Sequence, residues 1–304
     1  MSVRPGGAVW DDRGTQQLAE AIQVAREANA PFELCRALGN LAAQYWRRGR
    51  LVEAEALWRE SQEETERYGQ RWQARFDSGV VVNVAFQLGR WDEALAGADA
   101  FLAEIEAGSP HYLAAQVYSN RAAIRLGRGV VDAAIEDTER SLELARRAKD
   151  PQILSLTFAE AAHVLRETGD LERAVMLAQE VADEIDTAGS IGFGAVAVHV
   201  LAWTLTAAHR GVELANALDA LPDPWARAGA AYGRGNPAAA ADICAEIGAV
   251  TQEAYARLAA ARMLVEQGRR AEADEHLHRA LAFYRSVGAT RYVREGESLL
   301  VASA

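Results

Sequence analysis

Apolar residues return at helical spacing along almost the whole chain, and three successive segments draw the same stripe. Ala94, Leu95, Ala98 and Phe101 are matched by Ala134, Ile135, Thr138 and Leu142, and again by Ala174, Val175, Ala178 and Val181. Steps of three and four place each set on one helix face, so the stripes read as core. An earlier stripe, Leu18, Ile22 and Ala25, predicts an unpaired amphipathic helix over residues 15–29. Between them the pattern predicts helix pairs. The first helices fall at about 33–48, 72–88, 112–127, 152–168, 193–209, 224–234 and 252–267, and a second helix follows the glycine that ends each.

The interval between pairs is written in small residues. Glycine followed five positions later by alanine occurs at Gly49 and Ala54, Gly89 and Ala94, Gly129 and Ala134, and Gly169 and Ala174, each 40 residues after the last. Glycine ends the first helix because it takes the left-handed conformation without a Cβ penalty. Alanine follows because the two helices must cross closely, and packed interiors tolerate little extra volume. The pattern returns at Gly235 and Ala240 and at Gly268 and Ala273, where the glycines lie 33 apart. In the fifth unit Gly211 is followed by Asn216, with Ala215 one place early, so that unit reads as degenerate. Pro31, Pro110 and Pro151 mark unit junctions, the last two as helix starts behind the capping residues Ser109 and Asp150. The run Leu221-Pro222-Asp223-Pro224-Trp225 breaks the period and predicts a kink.

These signals predict an all-α solenoid of antiparallel helix pairs, about seven units over residues 31–290. A flexible arm over 1–14 and a capping helix over 15–30 precede it, and a capping helix over 291–304 closes it. Residues 187–208 contain no Asp, Glu, Lys or Arg and are long enough to span a membrane. They fall where the first helix of the fifth unit belongs and carry Gly189, Gly192, Gly194 and His199, so a buried solenoid helix is the reading.

Composition narrows the function. Half of the 304 residues are hydrophobic, only 7% are aromatic, and the formal net charge is −11. That charge lacks the basic footprint of a nucleic-acid binder, although all basic residues except Lys149 are arginine. Cys35 and Cys244 have no metal-ligand spacing, and residues 1–15 contain no apolar signal core, which points to a reduced cytoplasmic compartment. His276 and His278, two apart, point to different faces of a helix and cannot share a metal there. The glycines from Gly189 to Gly194 follow no strand, so they do not form a dinucleotide loop. No cofactor is expected, and a catalytic reading would have to rest on His163 with Glu160.

The phrases Leu88-Gly89-Arg90-Trp91-Asp92-Glu93-Ala94 and Tyr118-Ser119-Asn120-Arg121-Ala122-Ala123 resemble tetratricopeptide repeats. The resemblance spans about 33–285, is most specific in the second to fourth units, and has a longer period than the usual 34 residues. Units of this length, and the tail Ala282-Phe283-Tyr284-Arg285-Ser286-Val287-Gly288-Ala289, are similar to the C-terminal regions of bacterial LuxR-type regulators and cyclase-associated signalling ATPases. No phosphate-binding loop, cyclase domain or helix-turn-helix precedes the repeats, which suits either a stand-alone relative or a piece of a longer chain.

The resemblance implies a right-handed superhelix whose concave face, built from the first helices, holds a protein or peptide partner. The positions it implies are Arg36, Asn40 and Arg47 in the first unit, Asn83 and Gln87 in the second, Gln116 and Asn120 in the third, and Glu160, His163 and Glu167 in the fourth. Side-chain amides suit this role because they both donate to and accept from an extended backbone, and arginine can hold a carboxylate. The same amides also suit helix capping or bridging between repeats. Trp58 and Trp72 are candidates for the rim of a partner site, whereas Trp91 after its turn glycine reads as core. The expected function is a non-catalytic peptide- or protein-binding scaffold, with a sensor module of a larger bacterial signalling protein as the alternative.

Overall fold

In a computed structural model that describes residues 12–188, 196–221 and 223–301, the chain is helical throughout, with no strand among the described residues. Seven helix pairs follow one another. They are α2 (Pro31–Arg47) with α3 (Leu51–Arg67), α4 (Arg71–Gln87) with α5 (Trp91–Glu106), α6 (Ala114–Gly127) with α7 (Val131–Ala148), and α8 (Pro151–Glu167) with α9 (Leu171–Ala188). Then come α10 (Val198–Ala207) with α11 (Gly211–Leu218), α12 (Pro224–Gly233) with α13 (Pro237–Glu246), and α14 (Val250–Glu266) with α15 (Arg270–Ser286). The ends are capped by α1 (Asp12–Glu27) and α16 (Thr290–Val301). Each helix packs on the next, and the first helices α4, α6, α8 and α10 also stack in order along the inner layer.

The turns follow the expected chemistry. Gly49, Gly89, Gly129 and Gly169 all have positive φ, and Ala54, Ala94, Ala134 and Ala174 are fully buried where the helices cross. In the fifth unit the expected turn glycine is corrected. His209, 40 residues after Gly169, carries the left-handed conformation at φ 60°, while Gly211 is the first residue of α11. Gly211 is small for another reason. A Cβ there would lie 2.4 Å from the Thr206 hydroxyl and 2.6 Å from the Gly233 carbonyl, so the chain passes too close for a side chain. The start of the third unit is also corrected: α6 begins at Ala114, and Ser109, rather than capping it, is held by Arg75 through its hydroxyl (2.9 Å) and carbonyl (2.7 Å). Asp150 does cap α8, accepting from the Gln152 amide at 3.0 Å ahead of which Pro151 sits.

Residues 189–195, with the whole run from Gly189 to Gly194, lie outside the described residues. From Val198 to Leu205, α10 is buried on every face, packed on α8 and α12. No described helix is long and apolar enough to cross a membrane.

The hollow of the solenoid is partly filled by the chain's own C-terminal units. Helices α12, α14 and α16 bring their first turns against the last turns of α2, α4, α6 and α8, where carbonyl groups have no partner within their own helix. Four side chains serve as donors. The Trp225 indole donates to the Trp46 carbonyl (3.1 Å), the Thr251 hydroxyl to that of Phe86 (2.5 Å), Thr290 to that of Arg128 (2.8 Å), and Arg291 to that of Glu167 (2.6 Å). Helix N-termini thus meet helix C-termini, and opposite dipole ends attract. Apolar contacts complete the seam, including Trp91 against Phe283 and the Trp91 indole donating to Thr251 at 2.9 Å.

Candidate functional site

Because four units share a 40-residue period, equivalent positions on their first helices form rows across the concave face. Near the helix starts run Phe32, Trp72, Tyr112 and Gln152, followed by Arg36, Phe76, Gln116 and Leu156. Toward the helix ends run Ala43, Asn83, Ala123 and His163, then Arg47, Gln87, Gly127 and Glu167. The C-terminal units cover the latter rows and leave the former open.

The open part is a pocket of about 200 Å³ bordered by α2, α4, α6 and α8. The entire Arg36 row lines it, with Trp72, Tyr112 and Gln152 at the mouth and Trp46 and Trp58 deeper in. Trp46 and Trp58 meet edge to face at 6.0 Å, which sets them as a rigid wall. Trp72 stacks on Phe76 at 6.2 Å and on Tyr112 at 6.4 Å. Three aromatics of one row remain in solvent: Phe32 at 61%, Trp72 at 63% and Tyr112 at 37%. So much exposed aromatic surface in register marks a contact surface rather than core. The polar lining is Asn40, Gln73, Gln116 and Gln152, and the single charge in the lining is Arg36. Most arginines of the chain are tied to carboxylates, among them Arg59, Arg90, Arg121 and Arg173. Arg36 is exposed and has no ion pair among the described residues. Below the pocket the fully buried Asp77 accepts from Gln73 (3.0 Å) and Ser61 (2.7 Å), which orients the Gln73 amide. Burial pushes the Asp77 carboxyl up to about 6.

Three of the ten positions expected along one groove, Arg36, Asn40 and Gln116, line this pocket. The expectation that all ten share an accessible surface is corrected by the closure of the solenoid. Gln87 accepts from the Trp46 indole at 2.6 Å, and Asn83 and Asn120 are buried, the latter with its amide nitrogen unpartnered. Arg47 is half-buried beside Asp223, and burial lowers its pKa. Glu167 accepts from the Tyr255 hydroxyl (2.9 Å) and Arg166 (2.8 Å). Burial works to raise its pKa, but the Arg166 and Arg291 guanidinium groups and the hydrogen bond from Tyr255 outweigh it and hold the carboxyl below its ordinary range. His163 is pushed down to about 3 by burial and by Arg166. With Glu160 it faces a separate, smaller cavity rather than the open pocket.

Sequence reasoning missed Phe32, Tyr112, Phe76, Gln73 and Gln152. The signal was present, since Phe32, Trp72 and Tyr112 recur at the interval of the turn glycines.

A family model described as "Tetratricopeptide repeat" matches residues 254–287, which lie in the seventh of the helix pairs among the described residues. The seventh pair thus carries a tetratricopeptide repeat, and the chain as a whole has the fold of such repeats. The match falls on the unit whose glycines stand 33 apart, close to the usual length of this repeat, whereas the 40-residue units depart from it. No curated protein matches the chain. Among solved structures, it is similar to a Rap protein complexed with Competence and Sporulation Factor, at 12% identity and a TM-score of 0.61 over 90% of this chain and 85% of that one. It is similar also to the Rap conjugation gene regulator of the plasmid pLS20 in complex with the Phr* peptide, at 12% identity and a TM-score of 0.61 over 94% and 80% of the two chains. At that identity the likeness is one of fold. The tetratricopeptide-repeat sensor of a signal-transduction ATPase from Pyrococcus horikoshii aligns more loosely, with 11% identity and a TM-score of 0.44 over 96% of this chain and 43% of that one.

Proposed function

We propose that this protein is a non-catalytic binder of a short extended peptide laid across the first turns of α2, α4, α6 and α8. The observation that carries the reading is the open pocket, to which four consecutive units contribute equivalent side chains. Its parts match the parts of a peptide. Amides pair with backbone groups regardless of sequence, stacked aromatics supply apolar area at small entropic cost, and the unpaired Arg36 receives a carboxylate. Packed helices lie about 9 Å apart, so four of them span roughly 27 Å, which an extended chain covers in about eight residues. The two Rap structures, one solved with Competence and Sporulation Factor and the other with the Phr* peptide, support the reading through their shared fold. A sensor role in a larger signalling machine would use the same pocket as its input. Catalysis finds no support in the thiols, since burial pushes Cys35 up to about 11 and Cys244 up to about 12.

The test is a peptide-library screen read by tryptophan fluorescence, followed by titration of the Trp72→Ala and Asn40→Ala/Gln116→Ala variants. Each should weaken binding of the selected peptide at least tenfold, while Glu167→Gln leaves it unchanged. Equal affinity for wild type and both pocket variants would remove the pocket as the site.

A further inference from the structure

A second cavity lies behind the seam where α14, α15 and α16 close on α8, and nothing in the peptide reading uses it. It is small, about 20 Å³, a tenth of the open pocket and enough for one water-sized group. Its walls are mostly aromatic: Trp91, Trp203, Tyr255, Tyr284 and Tyr292. Trp203 and Tyr255 stack at 3.9 Å, Tyr284 lies 4.8 Å from Tyr292, and Tyr255 stands edge-on to Tyr292 at 6.1 Å, so the rings form a box.

Among the polar groups in that lining, three have oxygens able to accept a hydrogen bond and no partner among the described residues. The Glu160 carboxyl borders the cavity with no hydrogen-bond donor or cation paired to it among the described residues. The Gln252 side-chain oxygen and the Tyr284 hydroxyl, on residues 2% and 1% exposed, have no hydrogen-bond partner. A void lined by aromatic rings, a carboxyl with no partner among the described residues and two buried unpartnered oxygens suits a small cation that donates hydrogen bonds. Neighbouring charges are already engaged, because Arg166 and Arg291 both bind Glu167, and the Tyr292 hydroxyl lies 3.4 Å from His163 Nε2.

We propose that this aromatic box is a binding site for an ammonium ion, with the Glu160 carboxylate as counter-charge and Gln252 and Tyr284 as acceptors of its N–H bonds. Burial pushes the Glu160 carboxyl up to about 7, which favours the neutral acid below that pH. Entry of the cation therefore expels the Glu160 proton to solvent, and the charge of the cavity stays balanced. The other groups facing it do not exchange protons in this range. His163 on α8 is held neutral, and burial raises Tyr255 on α14, Tyr284 on α15 and Tyr292 on α16 well above their ordinary values.

The test compares ammonium, sodium and tetramethylammonium chlorides at one ionic strength, by thermal unfolding and by calorimetry in buffers of different ionisation enthalpy. Ammonium should raise the unfolding temperature saturably, and sodium and the oversized tetramethylammonium should not. At pH 6 the heat should show release of close to one proton, a release that fades by pH 8. Glu160→Gln should fold, being neutral and of the same shape, and lose at least tenfold in ammonium affinity; Tyr284→Phe, which deletes an unpartnered hydroxyl, should weaken it less. The proposal is overturned if sodium acts like ammonium, or if Glu160→Gln responds like wild type.

Discussion

Replacing Gly89 with alanine separates the two jobs of this glycine, and Gly235 supplies the control. Both residues are left-handed turn positions of nearly equal φ, 78° at Gly89 and 76° at Gly235. The conformational penalty of a Cβ is therefore shared, at about 1–2 kcal/mol. Their surroundings differ. A Cβ at Gly235 meets nothing within 4 Å, whereas at Gly89 it would lie 2.7 Å from the Phe283 ring and 3.1 Å from Val250. Those atoms belong to α15 and α14 across the seam, so Gly89→Ala also wedges the C-terminal units away from α4. Overpacking of this kind costs a further ~1–3 kcal/mol. Urea unfolding followed by helical circular dichroism should show Gly89→Ala losing about twice the stability lost by Gly235→Ala. Small-angle scattering should show an expanded particle only for Gly89→Ala. Equal losses and equal dimensions would mean that the C-terminal units do not rest against this turn in solution, and the closed solenoid would have to be abandoned.

Two further outcomes follow from buried groups. Burial raises the Asp77 carboxyl from its ordinary 3.8 to about 6, so the folded state holds its proton more tightly; the stability it contributes is present below about pH 4 and is lost as pH rises to about 6. The difference corresponds to at most about 3 kcal/mol, and Asp77→Asn should flatten the stability curve across that window, with an unchanged slope refuting the assignment. Cys35 and Cys244 are both buried, and their thiols are held protonated by that burial, so iodoacetamide at pH 8 should modify neither until urea unfolds the chain; rapid labelling of the native protein would contradict their placement.

How much of this was legible beforehand depended on the range of the interaction. The turn at Gly129 could be read locally, because glycine ahead of an alanine-bearing stripe states its own backbone need. His209 could not, because a histidine at φ 60° follows from the register of its unit and not from its own preference. The pocket was half visible. Arg36, Asn40 and Gln116 lay on the correct helix face, yet Asn83, Gln87, His163 and Glu167 lie on the same layer of helices and are covered.

The sequence alone determined the helix pairs, their order and the face each helix buries, since these depend on spacings of three, four and 40 residues within neighbouring segments. Only the tertiary structure decided which part of the concave face stays open. That choice rests on contacts such as Trp46 with Trp225, 179 residues apart, and Trp91 with Thr251, 160 apart. Superhelical curvature accumulates from small rotations at every repeat, so where the far end of the array returns is a property of the whole stack and is written in no single unit.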